Sequence, residues 1–393
     1  MKKNLATRLS RLGEGTRPSI TPAKSLPITW SSVFAFDSLA DLEAVYQKEA
    51  AGHIYTRLGN PVHDALQEIL ADIEEGRGAR AYASGMGAVA VTILGLLRSG
   101  DHLLADTGLY GGTYQLFNDL AARFGIAVTF ADLKREDPAD HLRDKTRLIY
   151  LETISNPLME VADIRRIAAA AHRQDCRVAV DSTFASPVIC RPLSLGADVV
   201  IHSATKYLCG HSDVMGGVVV AADPAVLEEI HRAGVLYGPT LSPMDAWLLI
   251  RSLRTLDLRM RRHAQNALAL AGFFAGQPHV GRVFYPGLSD SPFHDIARRQ
   301  FSDGLCGGML SLELTGGKAA AERFLGNLEG IKFLPSLAGY STSVSYPAAT
   351  SHRGLTKEAR AKAGIGDGLI RVSAGLEDSA DLRAEFTAIL ERV

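Results

Sequence analysis

An α/β fold with a mainly parallel sheet in a large domain, followed by a smaller C-terminal α/β domain, is what the sequence predicts, and three observations predict it. Between residues 61 and 180, apolar runs of strand length alternate with longer segments of helical apolar spacing. From Pro243 a helical stretch that no further proline interrupts leads into a second, shorter series of such runs. The 393 residues, 47% hydrophobic and 22% charged, supply enough apolar side chains for two cores rather than one.

Residues 1–60 differ in character from the rest of the chain. They mix Pro18, Pro22 and Pro27 with polar residues and carry one helical patch, Ser38–Gln47, so they read as an arm. The arm ends in Tyr55-Thr-Arg-Leu-Gly-Asn-Pro61, whose Asn-Pro step stops one segment and starts the next helix. The spacing then predicts a helix over Pro61–Glu75, a strand over Ala79–Ala83, a helix over Gly85–Leu97 and a strand over His102–Ala105. A helix over Thr113–Phe124 and strands over Ala127–Ala131 and Arg147–Leu151 come next, then a helix over Asp163–His172 and a strand over Arg177–Val180. Asp198–His202 and Gly216–Val220 are two further apolar runs with a polar loop between them. A single long helix, Pro243 to about Phe274, links to strands Gly308–Leu314, Ile331–Leu334 and Leu369–Val372 and to helices Lys318–Leu328 and Asp378–Leu390. The division expected is an arm (1–60), a large sheet domain (61–250) and a C-terminal domain (251–393).

A net charge of −1 gives no electrostatic footprint for nucleic acid or a membrane surface, so small molecules and other subunits are the expected partners. Cys176, Cys190, Cys209 and Cys306 form no CxxC pair and suit a reducing cytoplasm. The N-terminus has no signal-peptide core, and no run approaches a membrane span. His202 and His211 have no partner at ligand spacing, so no metal site is expected.

In a parallel sheet ligands bind at the carboxyl ends of the strands, which selects the segments to inspect. Lys206 lies in the loop after Asp198–His202, just beyond the hydroxyls of Ser203 and Thr205, an amine beside phosphate donors. Gly85 and Met86 open a helix after a strand, where free amides make an anion site. The same turn fits GxGxxA through Gly85 and Gly87, with Asp106 at the next strand end, so a nicotinamide dinucleotide site is a competing reading. Tyr110 on a strand-end loop offers a ring for stacking, and Asn156 in Glu152-Thr-Ile-Ser-Asn-Pro157 offers an amide. Asp181 ends an apolar strand in Val-Asp-Ser-Thr183, where a carboxylate keeps a pyridine nitrogen protonated or else caps a turn. Tyr55 and Arg57 are either surface contacts of the arm or phosphate ligands for a neighbouring subunit.

In order and spacing these segments resemble the Cys/Met-metabolism, or trans-sulfuration, family of pyridoxal-phosphate enzymes: cystathionine γ-synthase, the cystathionine lyases, methionine γ-lyase and homoserine-ester sulfhydrylases. YTRLGNP, SGMGA, LYGGTY, ETISNPLMEVADI, VDSTFASP, SATKYLCGHSDVMGG, TLDLRM and GLIRVSAGLED carry the resemblance from about Ser32 to the last helix. It implies a fold-type I enzyme with pyridoxal 5'-phosphate held by Lys206 as an internal aldimine, Asp181 at the ring nitrogen and Tyr110 stacked on the ring. It places Gly85, Met86, Ser203 and Thr205 in the phosphate cup, completed by Tyr55 and Arg57 of a neighbouring subunit, and Asn156 and Thr183 around the ring hydroxyl and ring face. Arg371, with Ser336, would clamp the substrate α-carboxylate. A homo-oligomer, as a dimer of dimers, is implied as well.

The chain departs from the family pattern at several positions. Ser341 stands where cystathionine-handling members commonly carry a glutamate. Gly112 and the Gly234-Val235 pair replace the cysteine and the Lys-Asp pair typical of methionine γ-lyases, which disfavours that activity in the strict sense. Ser182 replaces the usual asparagine after the ring aspartate. The activity expected is γ-elimination or γ-replacement on cystathionine, a homoserine ester, homocysteine or a related substrate such as canavanine. The alternatives are a β-lyase of the same family, a nicotinamide dehydrogenase and a non-catalytic cofactor carrier.

Overall fold

Strands that are apolar on both faces need cover on both faces, and the central strands of this chain have it. The computed structural model describes residues 3–11 and 23–393. In the first part of the chain the elements are α1 (Leu5–Ser10), α2 (Leu39–Tyr46), α3 (Pro61–Glu74), β1 (Gly78–Tyr82), α4 (Gly85–Leu96), β2 (His102–Asp106), α5 (Gly111–Phe124) and β3 (Ala127–Ala131). Then come β4 (Thr146–Glu152), α6 (Ile164–His172), β5 (Arg177–Asp181), the single turn α7 (Ser186–Ile189), β6 (Val199–Ser203), β7 (Gly217–Ala221) and α8 (Pro224–Tyr237). Seven strands form one sheet in the order β1-β7-β6-β5-β4-β2-β3. From β6 to β3 neighbours run parallel, whereas β7 is antiparallel to both β6 and β1. The mainly parallel sheet thus carries an antiparallel edge, because apolar runs specify burial and not strand direction.

The remainder comprises α9 (Pro243–Leu253), α10 (Leu256–Ala275), β8 (Val280–Phe284), α11 (His294–Gln300), β9 (Met309–Leu314), α12 (Gly317–Gly326), β10 (Lys332–Phe333), β11 (Ser343–Ser345), α13 (Lys357–Lys362), β12 (Leu369–Ser373) and α14 (Ser379–Leu390). Its five strands form a second sheet, β10-β11-β12-β9-β8. Several elements go beyond what the apolar spacing predicts. The arm contains a second helix, α1, whose Leu9 is fully buried and whose Arg8 pairs with Asp72 on α3; Pro18 and Pro22 lie outside the described residues. Helix α8 begins on an Asp223 cap with Pro224 in its first position, a start signal that the apolar spacing does not report. β8 is half-exposed, so its apolar alternation is weak. Residue 250, the expected domain border, lies inside α9.

The long helix expected from residue 243 onwards is broken into α9 and α10. The Ser252 carbonyl accepts from Thr255 N–H at 3.2 Å and from Arg259 Nη2 at 3.0 Å, so the helical ladder closes there without a proline. Arg259 is buried and also donates from Nη1 to Tyr207 O at 2.8 Å and from Nε to Thr255 Oγ1 at 3.2 Å. Positions 259, 263 and 266 share one face of α10. His263 Nδ1 lies 2.7 Å from Ala374 O, and Asn266 Nδ2 donates to Gly375 O at 3.0 Å. One face of α10 thus grips the loop after β6 at one end and the chain just past β12 at the other. Gly210 fits beside it with φ +70°, and a β-carbon there would collide with the Arg259 guanidinium. Gly210→Ala combines left-handed backbone strain with loss of the Arg259 contacts. Denaturant unfolding should show a loss of about 2 kcal/mol or more, and an unchanged midpoint would contradict this account of the α10 face.

Candidate active site

Four neighbouring parallel strands end on polar residues, β2 on Asp106, β4 on Glu152, β5 on Asp181 and β6 on Ser203. Their apolar bodies are buried, so polar side chains gather at the carboxyl edge of the sheet. Lys206 lies three residues past Ser203 in a turn closed by Lys206 N–H to Ser203 O at 3.1 Å. Thr205 secures that turn, its Oγ1 accepting from Gly216 N at 3.0 Å. Lys206 Nζ donates to Ser336 Oγ at 3.1 Å. Burial first, then the charge of Arg371, holds the Lys206 amine below its ordinary value, which favours the unprotonated, nucleophilic form.

Asp181 accepts from Thr183 through the hydroxyl at 2.5 Å and the amide at 2.9 Å, and from Tyr150 Oη at 3.4 Å. Burial raises its carboxyl above the usual range against these donors. Thr183 Oγ1 also accepts from Ser203 N at 2.8 Å, so it ties the ends of β5 and β6 together. Ser182, next to Asp181, is fully buried and its Oγ has no hydrogen-bond partner among the described residues.

Gly85 and Met86 occupy the first turn of α4, whose amides have no carbonyl within the helix to bond. Ser84 caps the turn by accepting from Gly87 N at 3.0 Å. Gly85 packs so closely on Ser203 that a β-carbon would come within 2.7 Å of its Cβ. The helix start and the end of β6 therefore make one cradle of amides and hydroxyls. Tyr110 stands at the N-terminus of α5, 48% exposed, its N–H donating to Glu152 Oε1 at 2.6 Å.

Arg371, on β12, is 3% exposed and reaches this edge from the second sheet. Its Nη1 donates to Asn156 Oδ1 at 2.8 Å and its Nη2 to Ser336 O at 3.3 Å. Burial lowers the guanidinium to about 10. Asn156 thus serves the arginine here, with its Oδ1 engaged by the guanidinium. Ser336 touches both Lys206 and Arg371, so amine and guanidinium share one serine.

The arm residues lie elsewhere in the chain's own fold. Arg57 Nη1 donates to Val235 O at 2.8 Å and its guanidinium sits 5.6 Å from the Tyr55 ring centre, while Tyr55 bridges to Val33. Asp106 overturns the dinucleotide reading. Its oxygens accept from Lys134 Nζ at 2.9 and 2.7 Å and from Leu133 N at 3.0 Å, and it is 1% exposed, so it cannot serve a ribose. Gly85 and Gly87 are thereby left without the acid that the dinucleotide reading requires. His202 is buried against Glu74 at 2.5 Å, and His211 Nδ1 lies 2.6 Å from Cys209 O. Among the described residues no group of three or more His, Cys, Asp or Glu is placed to hold a metal ion. Sequence reasoning passed over Glu152 and Tyr150, whose signal was their place on a strand that ends beside Asp181.

The chain matches the Cys/Met metabolism PLP-dependent enzyme family over residues 7–391. It is 40% identical to L-methionine gamma-lyase of Fusobacterium nucleatum over 383 residues, 96% of each chain. To O-succinylhomoserine sulfhydrylase of Pseudomonas aeruginosa it is 41% identical over 379 residues, 96% of this chain and 92% of that one. The crystal structure of cystathionine gamma synthase from Xanthomonas oryzae in complex with cystathionine superposes with a TM-score of 0.94 at 39% identity, covering 100% of this chain and 99% of that one. Relatives of different activity are thus about equally similar.

The residues present fit pyridoxal 5'-phosphate. The Gly85–Ser203 cradle is too narrow for a side chain but presents amides and hydroxyls suited to a phosphate, and Lys206 and Asp181 supply an amine and a carboxylate at adjacent strand ends. The pairing of Lys206 with Arg371 yields a prediction with a definite sign. Arg371→Met removes a cation that disfavours the protonated amine, so the Lys206 amine in the cofactor-free protein should titrate at higher pH, closer to its ordinary 10.5. The pH dependence of Lys206 labelling by an amine-reactive reagent measures this, and an unmoved or lowered midpoint would break the electrostatic link.

Proposed function

Since this chain belongs to the Cys/Met metabolism family of PLP-dependent enzymes, we propose that it catalyses γ-elimination or γ-replacement on an amino acid with a leaving group on Cγ. The observation that carries the reading is the convergence of Lys206 and Arg371 on Ser336, an amine and a carboxylate clamp on one anchor. Bound pyridoxal phosphate supplies an aldehyde for an amine and a ring that takes up the electron pair left when a proton departs from Cα. Arg371 holds the substrate α-carboxylate in a bidentate pair and so fixes where Cα lies. Lys206 Nζ would take the proton from Cα, give it up again, and so be free to take a second one from Cβ, whose deprotonation lets the γ-substituent depart. Asp181, steadied by Thr183 and Tyr150, holds a proton at the ring nitrogen. Gly85, Met86, Ser203 and Thr205 bind the phosphate, and Tyr110 covers the ring.

The substrate class is cystathionine, a homoserine ester, homocysteine or a related compound such as canavanine. Ser341 is exposed on the loop after Ser336, so a distal carboxylate of the protein is absent at the position where cystathionine-handling relatives commonly have one. The four cysteines are buried and free, which suits a reducing cytoplasm, and no helix among the described residues is long and apolar enough to cross a membrane. Trp30, Val33, Leu39, Tyr46, Leu236 and Tyr237 are exposed apolar side chains on or beside the arm and α8, a surface suited to a second copy. In that assembly Tyr55 and Arg57 reach the partner's phosphate cradle, and two such dimers form a tetramer.

Lys206→Ala should keep cofactor binding through the phosphate yet lose turnover by roughly three orders of magnitude or more. A keto-acid assay on a panel of γ-substituted amino acids checks this, and turnover near that of the unmodified enzyme would sink the mechanism. For the shared site, mixing inactive Arg57→Ala with inactive Lys206→Ala protein under subunit exchange should restore activity, because a mixed dimer then holds one site free of both defects. No recovery despite demonstrated heterodimers would return Arg57 to a role within its own subunit.

A further inference from the structure

Tyr110, the residue proposed to cover the ring, has a half-exposed side chain and lies on a loop, so something must set its height over the site. The loop from Thr107 to Tyr110 is pinned at both ends by carboxylates from neighbouring strands. Gly108 N–H donates to Asp106 Oδ2 at 3.3 Å, and Tyr110 N–H donates to Glu152 Oε1 at 2.6 Å. Asp106 is itself fixed by Lys134, whose Nζ is within 2.7 Å and whose side chain is 2% exposed. Glu152 is 7% exposed and sits in register with Asp181 on the adjacent strand. On the other side, a β-carbon at Gly112 would come 2.6 Å from the Tyr110 ring and 3.3 Å from Met86 Sδ, so the ring rests in space that only a glycine leaves open.

We infer that Glu152 is a positioning residue: its carboxyl fixes the backbone of Tyr110, and with Gly112 it sets where the tyrosine ring stands relative to Asp181 on the next strand. This rests on the proposed cofactor function and goes beyond it, since Glu152 touches neither amine nor cradle. The carboxyl acts here as a hydrogen-bond acceptor. Burial first and Asp181 second push it well above the usual carboxylate range, with Asp106 adding to the rise while the Tyr110 amide and Lys134 oppose it.

Three proteins separate this role from a merely structural one. Glu152→Gln keeps an oxygen acceptor without a charge, and its kcat/KM and the visible circular dichroism of the cofactor-loaded protein should stay within about two-fold of the unmodified enzyme. Glu152→Leu removes the acceptor, and should lower kcat/KM about ten-fold or more and reduce the visible dichroism of the bound cofactor, which reports ring orientation. In a Tyr110→Ala background the same Leu substitution should cost almost nothing further, because Glu152 acts through Tyr110. A large loss in Glu152→Gln, unchanged dichroism in Glu152→Leu, or full additivity with Tyr110→Ala would each overturn the inference. Should Glu152→Leu fail to fold, hydrogen exchange on the unmodified holoenzyme decides: slow exchange at the Tyr110 amide supports the anchor, and exchange at the rate of an open loop overturns it. An unmodified protein with no visible cofactor band at all would instead remove the cofactor reading itself.

Discussion

A buried guanidinium must find acceptors for its N–H groups or cost several kcal/mol, and Arg259 finds them in the loop after Lys206 and in the break between α9 and α10. One and two turns further along the same helix face, His263 and Asn266 hold the backbone just beyond β12. Lys206 follows a strand of the seven-stranded sheet and Arg371 lies on the five-stranded one, yet a single helix face bonds to the chain beside both. Burial lowers Arg259 to about 10, and the carbonyls around it supply what water would otherwise give.

The strand ends show how local burial becomes chemistry. Each of β2, β4 and β5 closes on an acid at the end of a buried apolar run. Three carboxyls on neighbouring strands cannot all be ionised and unpaired, and the fold treats each differently. Lys134 neutralises Asp106, a backbone amide occupies Glu152, and Asp181 is left with the donors of Thr183 and Tyr150. Of the three, Asp181 is the one bonded by side-chain hydroxyls, on the strand next to the one that leads to Lys206.

Much of this was legible in the sequence for a definite reason. The alternation of apolar runs gave the layers, and residues directly after a strand, such as Asp181, Ser203 and Lys206, could be placed because few residues separate them from it. Arg371 was legible only through resemblance, since nothing local marks an arginine inside a buried strand as belonging to a distant lysine. Glu152 was not legible at all, since its partner Tyr110 is 42 residues away. Strand direction was not legible at β7, because an antiparallel strand buried on both faces reads like a parallel one. The break at Ser252 was hidden because a side chain seven residues on, and no proline, makes it. Asp106 was misread for a related reason: its buried counter-ion, Lys134, belongs to a loop that carries no periodic signal.

The α10 face also ties together the segments that carry the lysine and the arginine, with Ser336 bridging the two side chains. If Arg371 holds a carboxylate and Lys206 works at the carbon bearing the amine, the span between them is a gauge of fixed length. An α-amino acid fits such a gauge whatever its side chain, whereas a β-amino acid places its amine one carbon farther from the carboxylate and does not. Tolerance at the γ-substituent and intolerance at the backbone then have one mechanical origin, and altering the first by mutation leaves the second in place.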